Sequence, residues 1–342
     1  MQFNKTGVLL LQLGTPDSPT TADVRKYLRQ FLMDARVIDI PYIQRQLLVN
    51  GIIANFRAPK SAKLYREIWT AQGSPLLIYG NALKNKLQAA LGSQFVVELG
   101  MRYQSPDMGI ALEKFRSLKV NELILLPLYP QFASSSTGSS LQKAFETISA
   151  WEVIPEIHAI SSYFNHEEFI RLWAEKGKKF IENEYDTVLF TFHGVPWRHV
   201  RKTGCGAACM EGPKECPEIN TDNHVCYRAQ CFATARSIST KLGLPADKVK
   251  ISFQSRLGSD PWLTPYTDAT LIELAKSGRK RIVVFSPSFT ADCLETIHEV
   301  GTEYFELFRE HGGEKLDLVP SMNDDAAWVE FLKSQVLKRT TH

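Results

Sequence analysis

Two series of apolar runs, each closed by a Gly or Pro turn, limit the folds available to this chain. The first series contains GVLLLQLGTP, FVVELGMRY and ELILLPLYPQF, and the second contains TVLFTFHGVP, VKISFQSRLGSDPW and RIVVFSPSF. Their length and composition are typical of buried strands. Segments with helical periodicity, such as ADVRKYLRQFL and RAQCFATARSISTKL, lie between them. This alternation predicts an α/β fold with parallel sheets covered by helices on both faces.

The ends of the predicted strands match between the two halves of the chain. LGTP corresponds to HGVP, GMRYQSP to QSRLGSDP, and YPQFASSST to SPSFTADCLET. We interpret this correspondence as an internal duplication. Because ligands bind at the carboxyl ends of parallel strands, the two sets of loops are expected to line one cleft.

Composition excludes some classes of function. A length of 342 residues suggests about two domains, and 44% hydrophobic residues can form a sizeable core. The net charge is only +3 and no block of like charge occurs, so we expect no nucleic-acid partner. No dinucleotide fingerprint or P-loop follows the predicted strands, which disfavours a nucleotide enzyme.

The N-terminal region and one apolar segment bear on location. MQFNKTGVLLLQLGTP lacks a signal-peptide cleavage pattern, and no apolar stretch reaches the ~20 residues of a membrane span. The segment IDIPYIQRQLLVNGIIANF is rich in aliphatic side chains and either lines a pocket, touches a membrane or forms an ordinary pair of core helices. We therefore expect a cytoplasmic protein with at most peripheral contact at the inner face of a membrane.

Acidic residues recur at helical spacing directly after a predicted buried strand. Asp292, Glu295, Glu299 and Glu303 follow RIVVFSPSF at intervals of three and four residues, so a helix would place them on one face. A solvated acidic face is the usual interpretation of such a run. Its position at a strand end, together with His193 at the end of TVLFTF, favours metal and proton chemistry instead.

Five of the six cysteines lie close together in the sequence, between residues 205 and 231. In a chain that is expected to be cytosolic, such clustering favours a bound metal over disulfides. Four thiolates suit a structural zinc or an iron–sulfur cluster, and redox or incidental thiols are the remaining interpretation. Cys293 lies among the acidic residues, and we interpret it as a small packed thiol rather than a ligand.

Several motifs together resemble the ferrochelatase family over nearly the whole chain. They are LQLGTP, GMRYQSP, LYPQFASSSTGSS, TFHGVP, QSRLGSDPWLTPYTD and FTADCLETIHE. The resemblance implies two similar Rossmann-like domains, each with a four-stranded parallel sheet, at residues 1–160 and 161–342. The second would carry the metal site and a cysteine-rich insertion at 200–231, and the C-terminal helix would pack back on the first. It also implies a lyase that inserts ferrous iron, its substrate metal, into a porphyrin to make haem.

The resemblance assigns roles to individual residues. It makes His193 the histidine that binds iron or accepts pyrrole protons and Glu295 the acid that faces it across the macrocycle, with Glu299 and Glu303 continuing an acidic path. Such a reaction needs a base of near-neutral pKa and anionic ligands, which a histidine and a glutamate supply. The expected porphyrin-binding residues, for whose aromatic members core packing is the alternative, are Leu13, Arg102, Tyr103, Tyr129 and Trp262.

Some ferrochelatases hold a 2Fe–2S cluster through one mid-chain cysteine and a C-terminal group. Here Ser134 stands at the mid-chain position and no cysteine follows Cys293, so that arrangement is excluded. The resemblance to bacterial members with an internal cluster instead favours a 2Fe–2S cluster, with zinc as the alternative. The ligands expected for it are Cys205, Cys209, Cys216 and Cys226, with Cys231 as a possible substitute.

Other functions remain open at this stage. The apolar Leu13 favours protoporphyrin over coproporphyrin, and a chelatase for another metal and tetrapyrrole would keep the same histidine and acids. A non-catalytic haem carrier would need an axial ligand but no acidic path. An iron–sulfur regulatory protein would leave His193 and Glu295 without roles.

Overall fold

The computed structural model describes residues 5–203, 215–258 and 260–340. Within them the chain forms two compact units. The first takes in the described residues up to Tyr129, then Ala133–Ser162 and the chain from Asn323 onward. The second comprises Pro130–Phe132 and Tyr163–Met322.

The first unit is built on a parallel sheet of four strands in the order β2-β1-β3-β4. The strands are β1 (Thr6–Gly14), β2 (Phe95–Tyr103), β3 (Glu122–Pro127) and β4 (Glu156–Ala159). The middle of β1 is fully buried, as expected for a parallel strand covered on both faces. The α-helices of this unit are α1 (Thr21–Leu32), α2 (Tyr42–Gln46), α3 (Ala54–Ile68), α4 (Pro75–Leu91), α5 (Met108–Ser117), α6 (Ser139–Ile148) and α12 (Ala326–Leu337).

The second unit repeats this plan with a parallel sheet in the order β6-β5-β7-β8. Its strands are β5 (Thr187–His193), β6 (Val249–Gln254), β7 (Arg281–Phe285) and β8 (Lys315–Leu318). Its α-helices are α7 (Glu167–Ile181), α8 (Trp197–Lys202), α9 (Tyr227–Leu242), α10 (Thr267–Lys276) and α11 (Tyr304–Glu310). The predicted α/β class, with two four-stranded parallel sheets flanked by helices, is confirmed.

Details at the strand ends also repeat between the units. Gln104 and Ser255, which directly follow β2 and β6, both have positive φ, at 65° and 64°. The glycines at the ends of β1 and β5 share a constraint: a Cβ would lie 2.0 Å from the Tyr103 carbonyl oxygen at Gly14 and 2.8 Å from that of Gln254 at Gly194. These shared features are those expected of the internal duplication.

Each unit has a π-helix after its third strand in the sequence. Ser134–Gly138 follows β3, and Glu295–Glu303, hereafter the acidic π-helix, follows β7 and continues into α11. A third, Leu47–Ile53, joins α2 to α3. The sequence predicted a helix for the acidic segment but not its type. π-Helical turns are often found at functional sites.

Two further features concern the packing of the C-terminal helix and the presence of membrane-spanning helices. Helix α12 packs against α4, and both belong to the first unit. In the part of the chain that the structure describes, no helix combines the length and apolar character needed to cross a membrane.

Candidate active site

His193 is the last residue of β5, and neighbouring side chains hold its backbone from two directions. Its amide donates to Ser288 Oγ at 3.3 Å, in the loop after β7. Its carbonyl oxygen accepts a hydrogen bond of 2.7 Å from the Tyr227 hydroxyl at the start of α9. Three separate segments therefore meet at this one strand end.

The imidazole of His193 has a defined tautomer when neutral. Its Nδ1 lies 2.6 Å from the Gly194 carbonyl oxygen. Because a carbonyl oxygen can only accept, Nδ1 must carry the proton in this contact. Nε2 of the neutral ring then keeps its lone pair, which can bind a metal or accept a proton.

Gly194 and Trp262 shape the surroundings of this histidine. The Gly194 amide donates to the Gln254 carbonyl at 2.8 Å, and a Cβ on Gly194 would lie 3.2 Å from the Trp262 ring. Trp262 is itself fixed by a 2.8 Å hydrogen bond from Nε1 to the Leu257 carbonyl. Glycine is required here because strand and indole leave no room for a side chain.

Glu295 is the first residue of the acidic π-helix and is half-buried. The buried Cys293 thiol donates a hydrogen bond to its carboxylate. Burial, and then the negative charge of Glu295, raise the pKa of this thiol well above its ordinary value. Cys293 is therefore a neutral hydrogen-bond donor to Glu295 and not a thiolate.

Glu299 lies one turn further along and is largely enclosed. Its carboxylate accepts hydrogen bonds from Ser255 Oγ at 2.5 Å, Tyr304 Oη at 2.8 Å and Gln254 Nε2 at 3.3 Å. Burial raises the pKa of Glu299, and the charge of Glu295 raises it further. The hydrogen bonds from Ser255 and Tyr304 and the proximity of His193 act in the opposite direction.

The effects of Glu295 and His193 on this carboxyl group place both residues near Glu299. A polar cavity of about 190 Å³ opens beside Glu299. Its floor includes an ion pair in which Arg256 Nη2 lies 2.7 Å from Asp268 Oδ2. The full lining is Phe253, Ser255, Arg256, Tyr266, Asp268, Glu299 and Tyr304.

Glu303 occupies a different environment from the other two glutamates. Half of its side chain is exposed, at 51%, and its carboxylate lies 3.2 Å from Nε2 of His298. His298 precedes it by five residues, a spacing that brings side chains together in a π-helix. Glu303 is thus at the solvent end of the acidic π-helix.

Of the residues expected to bind porphyrin, Leu13, Arg102, Tyr103 and Tyr129 belong to the first unit and Trp262 to the second. Leu13 lies near the end of β1 and is partly buried. The Tyr129 hydroxyl lies 3.4 Å from Ser140 Oγ, and burial raises its pKa.

Arg102 and Tyr103 share one carboxylate, that of Asp34. Arg102 Nη2 and Tyr103 Oη lie 2.6 Å and 2.9 Å from Asp34 Oδ2, and Ser139 Oγ donates to the same oxygen at 2.5 Å. The Arg102 guanidinium also stacks on the Tyr103 ring at 4.7 Å. Burial tends to raise the pKa of Asp34, but the Ser139 hydrogen bond, the Arg36 amide and the Arg102 charge hold it below its usual value.

The cysteine-rich segment is described only in part. Cys205 and Cys209 lie outside the described residues, whereas Cys216, Cys226 and Cys231 are buried. Arg228 Nη1 lies 2.9 Å from Cys216 Sγ, a contact that favours a thiolate. Among the residues that the structure describes, no group of three or more potential ligands is assembled into a metal site.

Cys226 and Cys231 stand at the start of α9 and differ in environment. Cys226 is the N-cap residue, and Cys231 lies inside the helix. Burial raises the pKa of Cys231 well above its ordinary value, and Cys226 and Cys216 are near enough to raise it further. The hydrogen bond between Cys231 and Tyr227 acts in the opposite direction, but burial outweighs it and keeps the Cys231 thiol neutral.

Several residues of these sites were not predicted, among them Ser255, Tyr227 and Asp34. Ser255 and Tyr227 contact Glu299 and His193, and Asp34 joins Arg102 to Tyr103. Ser255 directly follows a predicted strand, so its position was a usable signal. Tyr227 and Asp34 reach their partners only through tertiary folding, and no local pattern marks them.

Comparisons with known proteins agree with this fold and identify the family. A family profile described as ferrochelatase matches residues 5–340. Ferrochelatase of Legionella pneumophila (strain Lens) is 43% identical over 332 residues, covering 97% of this chain and 98% of the relative. Ferrochelatase of Coxiella burnetii (strain Dugway 5J108-111) is 43% identical over 336 residues, covering 98% of this chain and 94% of the relative.

A solved structure gives the same fold at low sequence identity. SirB from Bacillus subtilis with Fe3+ superimposes with a TM-score of 0.53 and 11% identity, covering 98% of this chain and 95% of that one. This likeness bears on the fold alone, whereas the profile and the relatives bear on the family. The chain therefore belongs to the ferrochelatase family, the porphyrin metal chelatases that insert ferrous iron into a porphyrin to make haem.

Proposed function

We propose that His193 and Glu295 carry out iron insertion in this enzyme. The observation that supports this most directly is the Nδ1 contact of His193 with the Gly194 carbonyl, because it leaves Nε2 as the acceptor. Metallation requires that two pyrrole N–H protons leave the macrocycle. A neutral imidazole Nε2 accepts such a proton, and a glutamate supplies an anionic oxygen for incoming Fe2+.

We propose that Glu299 and Glu303 extend this site toward solvent. The raised pKa of Glu299 suits a group that takes part in proton exchange, and its partners Ser255 and Tyr304 keep the carboxylate in a fixed orientation. Glu303 is exposed and paired with His298, which supports an accessory role. Fe2+ is the substrate metal throughout.

The graded roles of these residues are testable by substitution. We expect His193→Ala to abolish metal insertion while porphyrin binding, measured by fluorescence, stays intact. Glu295→Gln should reduce kcat severely, and Glu303→Gln should reduce it only modestly. Full turnover by His193→Ala would overturn the assignment, and equal losses in the two glutamate variants would mean that the acids act as one unit.

For the substrate, we propose protoporphyrin, with coproporphyrin as the alternative, bound by the expected pocket residues. Leu13 supports this choice because an apolar side chain at that position adds no polar group for a further carboxylate. Arg102 and Tyr103, fixed by Asp34, offer a rigid polar surface in the first unit. Anaerobic assays with each porphyrin at equal concentration would rank them, and a higher kcat/KM for coproporphyrin would reverse the proposal.

For the cysteine-rich segment, we propose a 2Fe–2S cluster held by Cys205, Cys209, Cys216 and Cys226. The donor chemistry fits: Cys216 and Cys226 are buried, and Arg228 stands beside the Cys216 sulfur as a positive group would beside a thiolate ligand. The neutral, hydrogen-bonded state of Cys231 supports keeping it as a substitute only. When bound, such a cluster supplies one-electron chemistry and cross-links the segment.

Purified protein distinguishes the two metals that suit these thiols. A brown protein with visible charge-transfer bands and about two irons per chain supports the cluster. A colourless protein with stoichiometric zinc would overturn it. Cys216→Ser should abolish the colour. Cys293→Ser is the matched control and should retain the colour, because the Cys293 thiol is hydrogen-bonded to Glu295 and is not an expected cluster ligand.

We propose further that the domains are residues 1–160 and 161–342, with the C-terminal helix α12 packed back on the first domain. We also propose that the protein is cytoplasmic with peripheral membrane contact. Exposed apolar side chains on and between α2 and α3 support such contact, namely Tyr42, Ile43, Leu47, Ile52 and Phe56. Flotation with phospholipid vesicles tests this: the native protein should co-float, and a variant with Leu47→Ser and Phe56→Ser should not. Equal flotation of both proteins would contradict the proposal.

A further inference from the structure

The backbone of His193 belongs to a closed ring of hydrogen bonds. Its amide donates to Ser288 Oγ at 3.3 Å, and the Tyr227 hydroxyl donates to its carbonyl oxygen at 2.7 Å. The Ser288 hydroxyl in turn is hydrogen-bonded to the oxygen of Tyr227. Each hydroxyl therefore both accepts and donates, and the ring runs from the His193 amide through two side chains to the His193 carbonyl.

The two hydroxyls come from different elements of the second unit. Tyr227 is the first residue of α9, and Ser288 lies between β7 and the acidic π-helix. Tyr227 is buried, so its ring orientation is fixed by packing. Its oxygen also contacts the Cys231 thiol, which is fully buried within the same helix.

The ring acts at the residue where β5 ends and the chain turns. The imidazole orientation is set by Nδ1 bonding to the next carbonyl, at Gly194. A rotation of the His193–Gly194 peptide about the His193 Cα–C bond would displace the Gly194 carbonyl from the imidazole and break the contact that orients the ring. Tyr227 bonds the oxygen of that peptide directly, so it opposes this rotation.

We propose that Tyr227, acting with Ser288, is a positioning residue that fixes the orientation of the His193 imidazole. This rests on the proposed role of His193 in proton acceptance and iron binding. Among the described residues, both hydroxyls contact the backbone of His193 and not its imidazole. They therefore act on the orientation of the ring and not directly on the substrate. Misplacement of a reacting group by ~1 Å can lower a rate by as much as about a hundredfold.

The test is Tyr227→Phe in the full-length enzyme, assayed with Fe2+ and porphyrin. We expect kcat to fall about tenfold or more, with porphyrin KM and fluorescence-derived Kd unchanged. Tyr163→Phe is the matched control, because Tyr163 is an equally buried tyrosine of the same unit that packs edge-on against Phe169. Its kcat should stay at the wild-type value.

Ser288→Ala provides the second variant and shows whether the ring acts as a unit. If it does, Ser288→Ala also lowers kcat, and the double variant is little worse than either single one. Multiplicative effects, or wild-type kcat in Tyr227→Phe, would overturn the proposal. If His193→Ala is inactive in metal insertion while Tyr227→Phe keeps the wild-type kcat, only this inference is refuted. If His193→Ala inserts iron normally, the proposed role of His193 is refuted instead.

Discussion

Removal of one hydroxyl from the Glu299 site gives a quantitative test of its electrostatics. Tyr304→Phe keeps the ring and deletes the 2.8 Å hydrogen bond to Glu299 Oε1. A hydrogen bond to a charged group contributes roughly 1.5–3 kcal/mol, and 1.36 kcal/mol corresponds to about one pKa unit. The bond stabilises the carboxylate, so its loss should raise the already elevated pKa of Glu299 by about one to two units.

The shift is measurable by ¹³C NMR titration of protein labelled at the glutamate carboxyl carbon, with Glu299→Gln to assign the resonance. Tyr266→Phe is the control, because Tyr266 lines the same cavity but stacks with Arg256 instead. Its Glu299 titration should match that of the wild type. An unchanged Glu299 pKa in Tyr304→Phe would refute the reasoning.

The same perturbation predicts a pH dependence of stability. Because the folded-state pKa of Glu299 is raised, the native state binds more protons than the unfolded state between the ordinary glutamate value, about 4.3, and the raised value. Stability therefore falls as pH rises through that window, and Tyr304→Phe extends the window upward. Urea unfolding should show that Tyr304→Phe lowers the free energy of unfolding most at about pH 8 and least at about pH 4.

Other consequences are equally open to measurement. Gly194→Ala places a Cβ 2.8 Å from the Gln254 carbonyl oxygen and should lower the free energy of unfolding, measured in urea, by about 1–3 kcal/mol. Its kcat should fall by a larger proportion than its free energy of unfolding. Asp34→Asn removes the partner of the partly buried Arg102 and should cost about 3 kcal/mol, and the contribution of Asp34 in the wild type should be lost as pH falls below about 4. Cys293 should resist alkylation at about pH 8 until the protein is unfolded, as read by mass spectrometry.

Much of the fold followed from local sequence, because buried parallel strands have a strong signature. GVLLLQLG and TVLFTFH form the central strands of the two sheets, and the matched turns after them predicted the repeat. The proximity of His193 and Glu295 to Glu299 is likewise consistent with their positions in the sequence, since His193 ends one strand of a sheet and the two glutamates follow another.

What the sequence could not supply depends on tertiary packing. A spacing of three and four residues fits either an α-helix or a π-helix, so the contacts of Tyr304 with Glu299 and of His298 with Glu303 were not predicted. Nothing near Tyr227 in the sequence indicates that its hydroxyl reaches His193, 34 residues earlier. Such contacts depend on how the helices dock on the sheet, which periodicity does not specify.

Single-turnover metallation by His193→Ala shows whether iron insertion depends on this imidazole. Porphyrin-loaded wild-type and variant enzymes are mixed anaerobically with Fe2+, and haem formation is followed by absorbance, with and without added imidazole. We expect the variant to bind porphyrin as tightly as the wild type and to form no haem alone. Added imidazole should restore part of its haem formation. Haem formation by the variant at the wild-type rate without imidazole would contradict it.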